Sequence, residues 1–89
     1  MERTMYPVDV ICVCNSEGNI QPLRMRMELE SEGSVRIDIE DVLKVTEISH
    51  VGAEAHIYLC RARIHGRNIL FELKYTFRSH SWCLLRRIC

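Results

Sequence analysis

The strongest constraint in this sequence is a period of two in its apolar residues, sustained through two segments joined by a short polar turn. Leu23, Met25, Met27 and Leu29 alternate with Arg24, Arg26 and Glu28; Val35, Ile37 and Ile39 alternate with Arg36, Asp38 and Glu40. Side chains on a strand point to opposite faces in turn, so each segment presents one apolar face and one charged face. Ser31-Glu32-Gly33 suits a three-residue hairpin loop, a type I turn closed by glycine in the left-handed conformation. Pairing Glu30 with Ser34 then sets Glu28 against Arg36, Arg26 against Asp38 and Arg24 against Glu40, while Leu29, Met27 and Met25 face Val35, Ile37 and Ile39. Each exposed charge pair contributes only ~0.2–1 kcal/mol. A one-residue slip would turn the whole apolar set to water, so the faces are firmly specified.

A second hairpin is written around His65-Gly66-Arg67-Asn68, where Gly66 in the first turn position fits a type II′ connection and pairs His65 with Asn68. One face then carries Ile64, Ala62, Cys60 and Tyr58 against Ile69, Phe71, Leu73 and Tyr75; the other pairs Arg61 with Glu72 and Arg63 with Leu70. After the polar turn Arg78-Ser79-His80-Ser81, Trp82, Leu84, Arg86 and Ile88 alternate with Cys83, Leu85, Arg87 and Cys89, a last strand on which Trp82 meets Phe77. Residues 8–14 are strongly β-prone, and Asn15-Ser16-Glu17-Gly18-Asn19 supplies a turn. Pro22 cannot donate to a ladder, so an edge or a bulge is expected early in the second strand. Residues 41–49 read as a strand, with Val45, Thr46 and Ile48 outweighing a helical start at Asp41, and Gly52-Ala53 turns the chain back into residues 55–65.

Six or seven short antiparallel strands in 89 residues must curl into a small barrel or pack as a strongly bent pair of sheets. The fold class is therefore all-β, and a barrel of the SH3-like or OB-like kind is the expected architecture. With 47% hydrophobic and 27% charged residues and no low-complexity tract, residues 1–89 make one domain, residues 1–6 being flexible at its start. A chain this short buries roughly 60–65% of its unfolded surface, so a second apolar face is best covered by a partner.

Twelve acids and twelve bases cancel, but residues 1–44 hold nine acids and five bases, a balance of −4, and residues 45–89 hold three and seven, a balance of +4. No apolar run approaches a membrane span and no apolar signal core opens the chain, which reads as cytoplasmic. Five cysteines, an odd number without a secretory signal, read as thiols. Cys12 and Cys14 share a strand face and, with His56 and Cys60, hold enough donors for tetrahedral zinc, but the paired CxxC knuckles of structural zinc sites are missing, so neither metal nor cofactor is expected. Cys60 with His56, or Cys83 with His80, names a thiol and a base without a third orienting group. The carboxylates of Glu40-Asp41 and of Glu28, Glu30 and Glu32 fall on solvated faces or turns. There is no phosphate loop, HExxH or nucleophile elbow, and the chain reads as non-catalytic.

What stands out is a face that alternation should make polar and does not. Ile57, Leu59 and Leu70 lie on the non-core side of the second hairpin; a strand through Ile48 adds a fourth apolar side chain, and Lys44, Arg61, Arg63 and Lys74 rim the patch. The expected function is protein interaction, with a second copy or another protein, through this face or an exposed strand edge. The competing reading is nucleic-acid binding by Arg61, Arg63, Lys74, Arg78, Arg86 and Arg87, with Tyr58, Tyr75 or Trp82 stacking on bases. Its weakness is that the tyrosines fall on the core face, opposite the arginines of the same strands.

The run Ile20-Gln21-Pro22-Leu23-Arg24-Met25, the stretch 37–43, Phe71-Glu72-Leu73-Lys74-Tyr75 and Trp82-Cys83-Leu84 resemble the layout of small uncharacterised bacterial all-β domains that end in an ELxY…WxL hairpin. The resemblance covers most of the chain. It implies a bacterial, intracellular, non-catalytic domain and transfers no functional residue.

Overall fold

A computed structural model describes residues 5–31, 33–51 and 54–88 and contains strands only: β1 (Tyr6–Cys14), β2 (Ile20–Leu29), β3 (Gly33–Asp38), β4 (Asp41–Ile48), β5 (Ala55–Ile64), β6 (Arg67–Thr76) and β7 (Ser81–Arg87). Among these residues no helix is long and apolar enough to cross a membrane. The turn expected at Gly52-Ala53 and the expected flexibility of residues 1–4 lie outside the described residues; β1 begins at Tyr6.

All seven strands form one antiparallel sheet in the order β3-β2-β1-β7-β6-β5-β4. Its two edge strands, β3 and β4, are consecutive in the chain and separated only by Ile39 and Glu40. The sheet must therefore curl until its edges meet at that link. The Ile39 N–H donates to the Leu23 carbonyl of β2 at 2.9 Å, and the Glu40 N–H donates to the Arg61 carbonyl of β5 at 2.8 Å. The expected closed barrel is not formed. With so short a link, β4 continues where β3 stops, so the two run head to tail and do not pair side by side.

The inner face of the curl is the core, with Tyr58, Cys60 and Ala62 of β5, Phe71, Leu73 and Tyr75 of β6, Met25 of β2 and Ile37 of β3 all buried. The apolar faces are those that the alternation specifies. Both hairpin registers, however, sit two residues away from the sequence expectation. Gly33, at φ +73°, pairs with Leu29, so Arg24 lies opposite Asp38, Arg26 opposite Arg36 and Glu28 opposite Ser34. The expected Glu28–Arg36, Arg26–Asp38 and Arg24–Glu40 pairs give way to Arg24–Asp38 and Arg26–Asp9 ion pairs, each at 2.5 Å. The first expected loop includes Glu32, which lies outside the described residues.

In the second hairpin both His65 (φ +51°) and Gly66 (φ +77°) are left-handed, which makes the turn type I′ rather than II′ and pairs Ile64 with Arg67. Arg61 then faces Leu70 and Arg63 faces Asn68. A shift of two keeps every side chain on its face, so periodicity cannot detect it and turn conformation decides it.

Three bulges bend the sheet. Pro22 stands opposite Cys12, and the next residue, Leu23, is extra to the ladder, as expected of a strand that cannot use its proline N–H. Leu43 is extra between Val42 and Lys44 in the β4–β5 ladder, and Leu85 is extra between Leu84 and Arg86 in the β6–β7 ladder. The β7 bulge breaks the expected alternation of the last strand: Arg86 now pairs with Glu72 and Arg87 with Phe71. Trp82 packs on Tyr75 and Tyr58, with ring centroids at 4.9 and 5.4 Å, while Phe77 packs on His56 and Tyr75 instead of on Trp82.

Candidate functional site on the outer face of β4, β5 and β6

Parity along β5 puts Tyr58, Cys60 and Ala62 inward, and so Ala55, Ile57, Leu59, Arg61 and Arg63 outward. In register, Ile57 faces Lys74, Leu59 faces Glu72 and Lys44, Arg61 faces Leu70 and Asp41, and Ala55 faces Ile48. The four apolar residues singled out from the sequence, Ile48, Ile57, Leu59 and Leu70, therefore share one face, each half-buried. Ala55 is 1% exposed and Leu85 7% exposed, yet neither belongs to the core cluster. Ala55, outward by the parity of β5 and opposite Ile48, thus gives the outer face one fully buried apolar residue.

The charged rim separates into two groups. Arg61 is neutralised: it hydrogen-bonds the Asp41 carboxylate, lies 3.4 Å from a Glu40 oxygen and donates to Asn68 Oδ1 at 3.3 Å. The Asp41 hydrogen bond, then the charges of Asp41 and Glu40, hold its guanidinium above the usual arginine range. Glu72, expected to pair with Arg61, is bound instead by Arg86 at 2.8 Å, because the two-residue shift moves Glu72 opposite Leu59. Lys44, Arg63 and Lys74 have no salt bridge among the described residues. Charges left without counterions beside half-buried leucines and isoleucines describe an apolar surface with a cationic border.

The arginines and aromatic rings of the competing reading are not brought together. Tyr58 and Tyr75 are buried on the inner face, Arg78 sits in the β6–β7 turn, Arg86 is bound to Glu72, and the bulge sends Arg87 to the side of Phe71. The thiols are also dispersed. Cys60 is fully buried, its Sγ donating to the Tyr58 carbonyl at 3.5 Å, and desolvation pushes its pKa up to about 12, so it stays a thiol at neutral pH. Burial likewise raises the Cys83 pKa, against an opposing pull from Lys74. The His56 Nδ1 lies 3.4 Å from the Tyr58 hydroxyl and His80 Nδ1 3.0 Å from that of Tyr75, so neither imidazole is engaged with the cysteine considered for it. Among the described residues, no three of His, Cys, Asp and Glu gather into a metal site.

No protein-family model, curated protein or solved structure matches this chain.

Sequence reading missed Ala55 and Leu85, and misplaced Arg87. The signal for the last two was present in Leu84-Leu85-Arg86-Arg87, where an apolar doublet followed by a cationic doublet breaks a period of two as a bulge does.

Proposed function

We propose that this chain is a protein-interaction module that docks a partner carrying apolar and acidic side chains on the outer face of β4–β6, with Ile57, Leu59 and Leu70 at the centre. The observation that carries the reading is the pairing of that half-buried apolar centre with Lys44, Arg63 and Lys74, three cations without carboxylate partners among the described residues. Burying an apolar centre drives association, and a rim of one sign selects a partner of the other. Two copies meeting through this face would set the same cations against one another, which favours an acidic partner over an isologous dimer. The neighbouring Arg61–Asp41 and Arg86–Glu72 pairs are already satisfied and serve to hold the rim in place.

The test compares parent chain and Leu59→Arg on arrays of amphipathic peptides, with light scattering of both proteins under reducing conditions. Salt-sensitive capture of acidic amphipathic peptides by the parent and its loss in a folded Leu59→Arg support the reading. Equal capture by both chains overturns it. A parent dimer that Leu59→Arg turns into a folded monomer would make the occupant a second copy.

A further inference from the structure

Strand β1 outruns one of its two neighbours. β7 pairs only with Tyr6, Pro7 and Val8, whereas β2 pairs with β1 as far as Cys14. Val10-Ile11-Cys12-Val13-Cys14 therefore has β2 along one side and, among the described residues, no strand along the other. Alternate residues of an antiparallel strand aim both backbone polar groups to the same side, so this overhang offers open N–H and C=O groups to a further strand. Ile11, Cys12, Val13 and Cys14 are also exposed. The two terminal strands of the sheet are guarded in the usual way: β3 carries Arg36 and Asp38, and β4 carries Asp41, Lys44 and Glu47 and the bulge at Leu43. The overhang carries neither charge nor proline.

We infer that two copies of this chain join by antiparallel pairing of the overhang with itself, about a two-fold axis at Cys12. That register sets Val10 opposite Cys14 and Ile11 opposite Val13 of the second copy, so the whole uncharged stretch meets itself, and Asp9 falls opposite Asn15 rather than opposite another charge. Paired residues then differ by an even number, so inward residues meet inward ones. Val8 and Val10 pack on the core and Cys12 follows them by parity, which makes the inner faces of the two copies continuous. Outward, Ile11 and Val13 of both copies gather into one cluster of β-branched side chains, the kind of cross-strand contact that stabilises a ladder. The same register carries the turn at residues 15–19 of each copy up to the start of β7 in the other, beside the turn at residues 78–80. Glu17 and Arg78 are both exposed and neither has an ion pair among the described residues, so the meeting turns present opposite charges to each other, twice by symmetry. This edge is separate from the outer face of β4–β6 and does not depend on the role proposed for it.

So short a ladder makes a weak, reversible dimer, and sedimentation equilibrium of the full chain under reducing conditions should show the average mass rising towards that of a dimer between about 10 µM and 1 mM. Val13→Lys, at an exposed position opposite Gln21, should abolish the rise, and Leu59→Arg should leave it in place. Glu17→Arg should weaken the dimer about three- to tenfold, and Glu17→Arg combined with Arg78→Glu should restore it. A parent chain that stays monomeric to about 1 mM overturns the proposal, and so does a dimer that Val13→Lys leaves intact or Leu59→Arg dissolves. A second measurement needs no disruptive variant. Facing Cα atoms of an antiparallel pair lie within disulfide reach, so in a Cys89→Ser background diamide, which takes up the two thiol hydrogens as the S–S bond forms, should cross-link the copies through Cys12. The cross-link is expected to vanish in Cys12→Ser and persist in Cys14→Ser; a cross-link that survives Cys12→Ser overturns the proposal.

Discussion

Leu73 and Leu59 lie on neighbouring strands of the same sheet, in neighbouring rows of the ladder, and point to opposite faces, so truncating each in turn measures which face is the core. Leu73 is 0% exposed and belongs to the core cluster. Removing its isobutyl group forfeits most of the ~1.5–3 kcal/mol of its transfer free energy, and the void it leaves between the rows of Tyr58 and Leu84 adds a cavity cost. Leu73→Ala is therefore expected to lose about 2–5 kcal/mol. Leu59 is half-buried with no second layer of described residues over it, so Leu59→Ala loses part of one transfer term and creates no closed void, about 1 kcal/mol. Urea unfolding followed by Trp82 fluorescence reads both, because Trp82 packs against Tyr58 and Tyr75 in the folded sheet. With a slope near 1 kcal/mol per molar for a chain of this size, the Leu73→Ala midpoint should fall by about 2 M or more and that of Leu59→Ala by about 1 M. If Leu59→Ala costs as much as Leu73→Ala, the outer face is a buried core and the interaction surface does not exist. If Leu73→Ala costs under about 1 kcal/mol, the inner face is not packed as described.

Gly66→Ala places a Cβ at φ +77° and should cost about 1–2 kcal/mol by thermal denaturation, whereas His65→Asn, a residue at home in the left-handed region, should be neutral or slightly stabilising. The Cys60 and Tyr58 pKa values are each pushed up to about 12 by desolvation. The unfolded chain releases these protons first, so stability is full below about pH 9 and falls as pH rises towards 12. The loss is on the order of 1 kcal/mol per pH unit for the fully buried Cys60, and Cys60→Ala should flatten the thiol's share of the slope in alkaline denaturation. Labelled single-stranded DNA or RNA should show no salt-sensitive anisotropy change that Arg63→Glu and Lys74→Glu remove; such a change would favour the nucleic-acid reading.

The inner and outer faces were legible because they follow from a period of two, which Met25, Met27, Val35 and Ile37 in one hairpin and Tyr58, Cys60, Phe71 and Leu73 in the other obey without exception. Register was not legible to the same degree. It depends on which residues of a turn adopt positive φ, and His65 takes a left-handed conformation that the sequence reading assigned away from it. The same error in both hairpins was silent for burial and audible only in charge: Arg26 faces Arg36 and turns to Asp9 on β1, while Arg61 turns from Glu72 to Asp41 on β4. Both arginines found their acids on the other neighbouring strand, which pairwise hairpin reasoning does not contain. The patch survived because Ile48, Ile57, Leu59 and Leu70 are fixed by parity alone.

The outer apolar surface and the curl have a common origin. A seven-strand sheet whose edges are joined by two residues must bend sharply, and each bulge adds one residue to one strand, lengthening and bending it. At all three bulges the extra residue is leucine: Leu23, Leu43 and Leu85. Leu23 and Leu43 are 41% and 51% exposed, whereas Leu85 is buried, at 7% exposure. A residue inserted only to bend a strand has no need of an apolar side chain, and at the two exposed positions, Leu23 and Leu43, a polar one would interact more favourably with water. Leu43 lies on β4 beside Lys44, which faces Leu59, so it adds exposed apolar surface next to the proposed docking face. If that surface contributes to docking, Leu43→Ser should leave the unfolding free energy within about 0.5 kcal/mol of the parent and weaken peptide capture alongside Leu59→Arg. A Leu43→Ser chain that unfolds more readily while capturing peptide as well as the parent would assign the leucine to the bend alone.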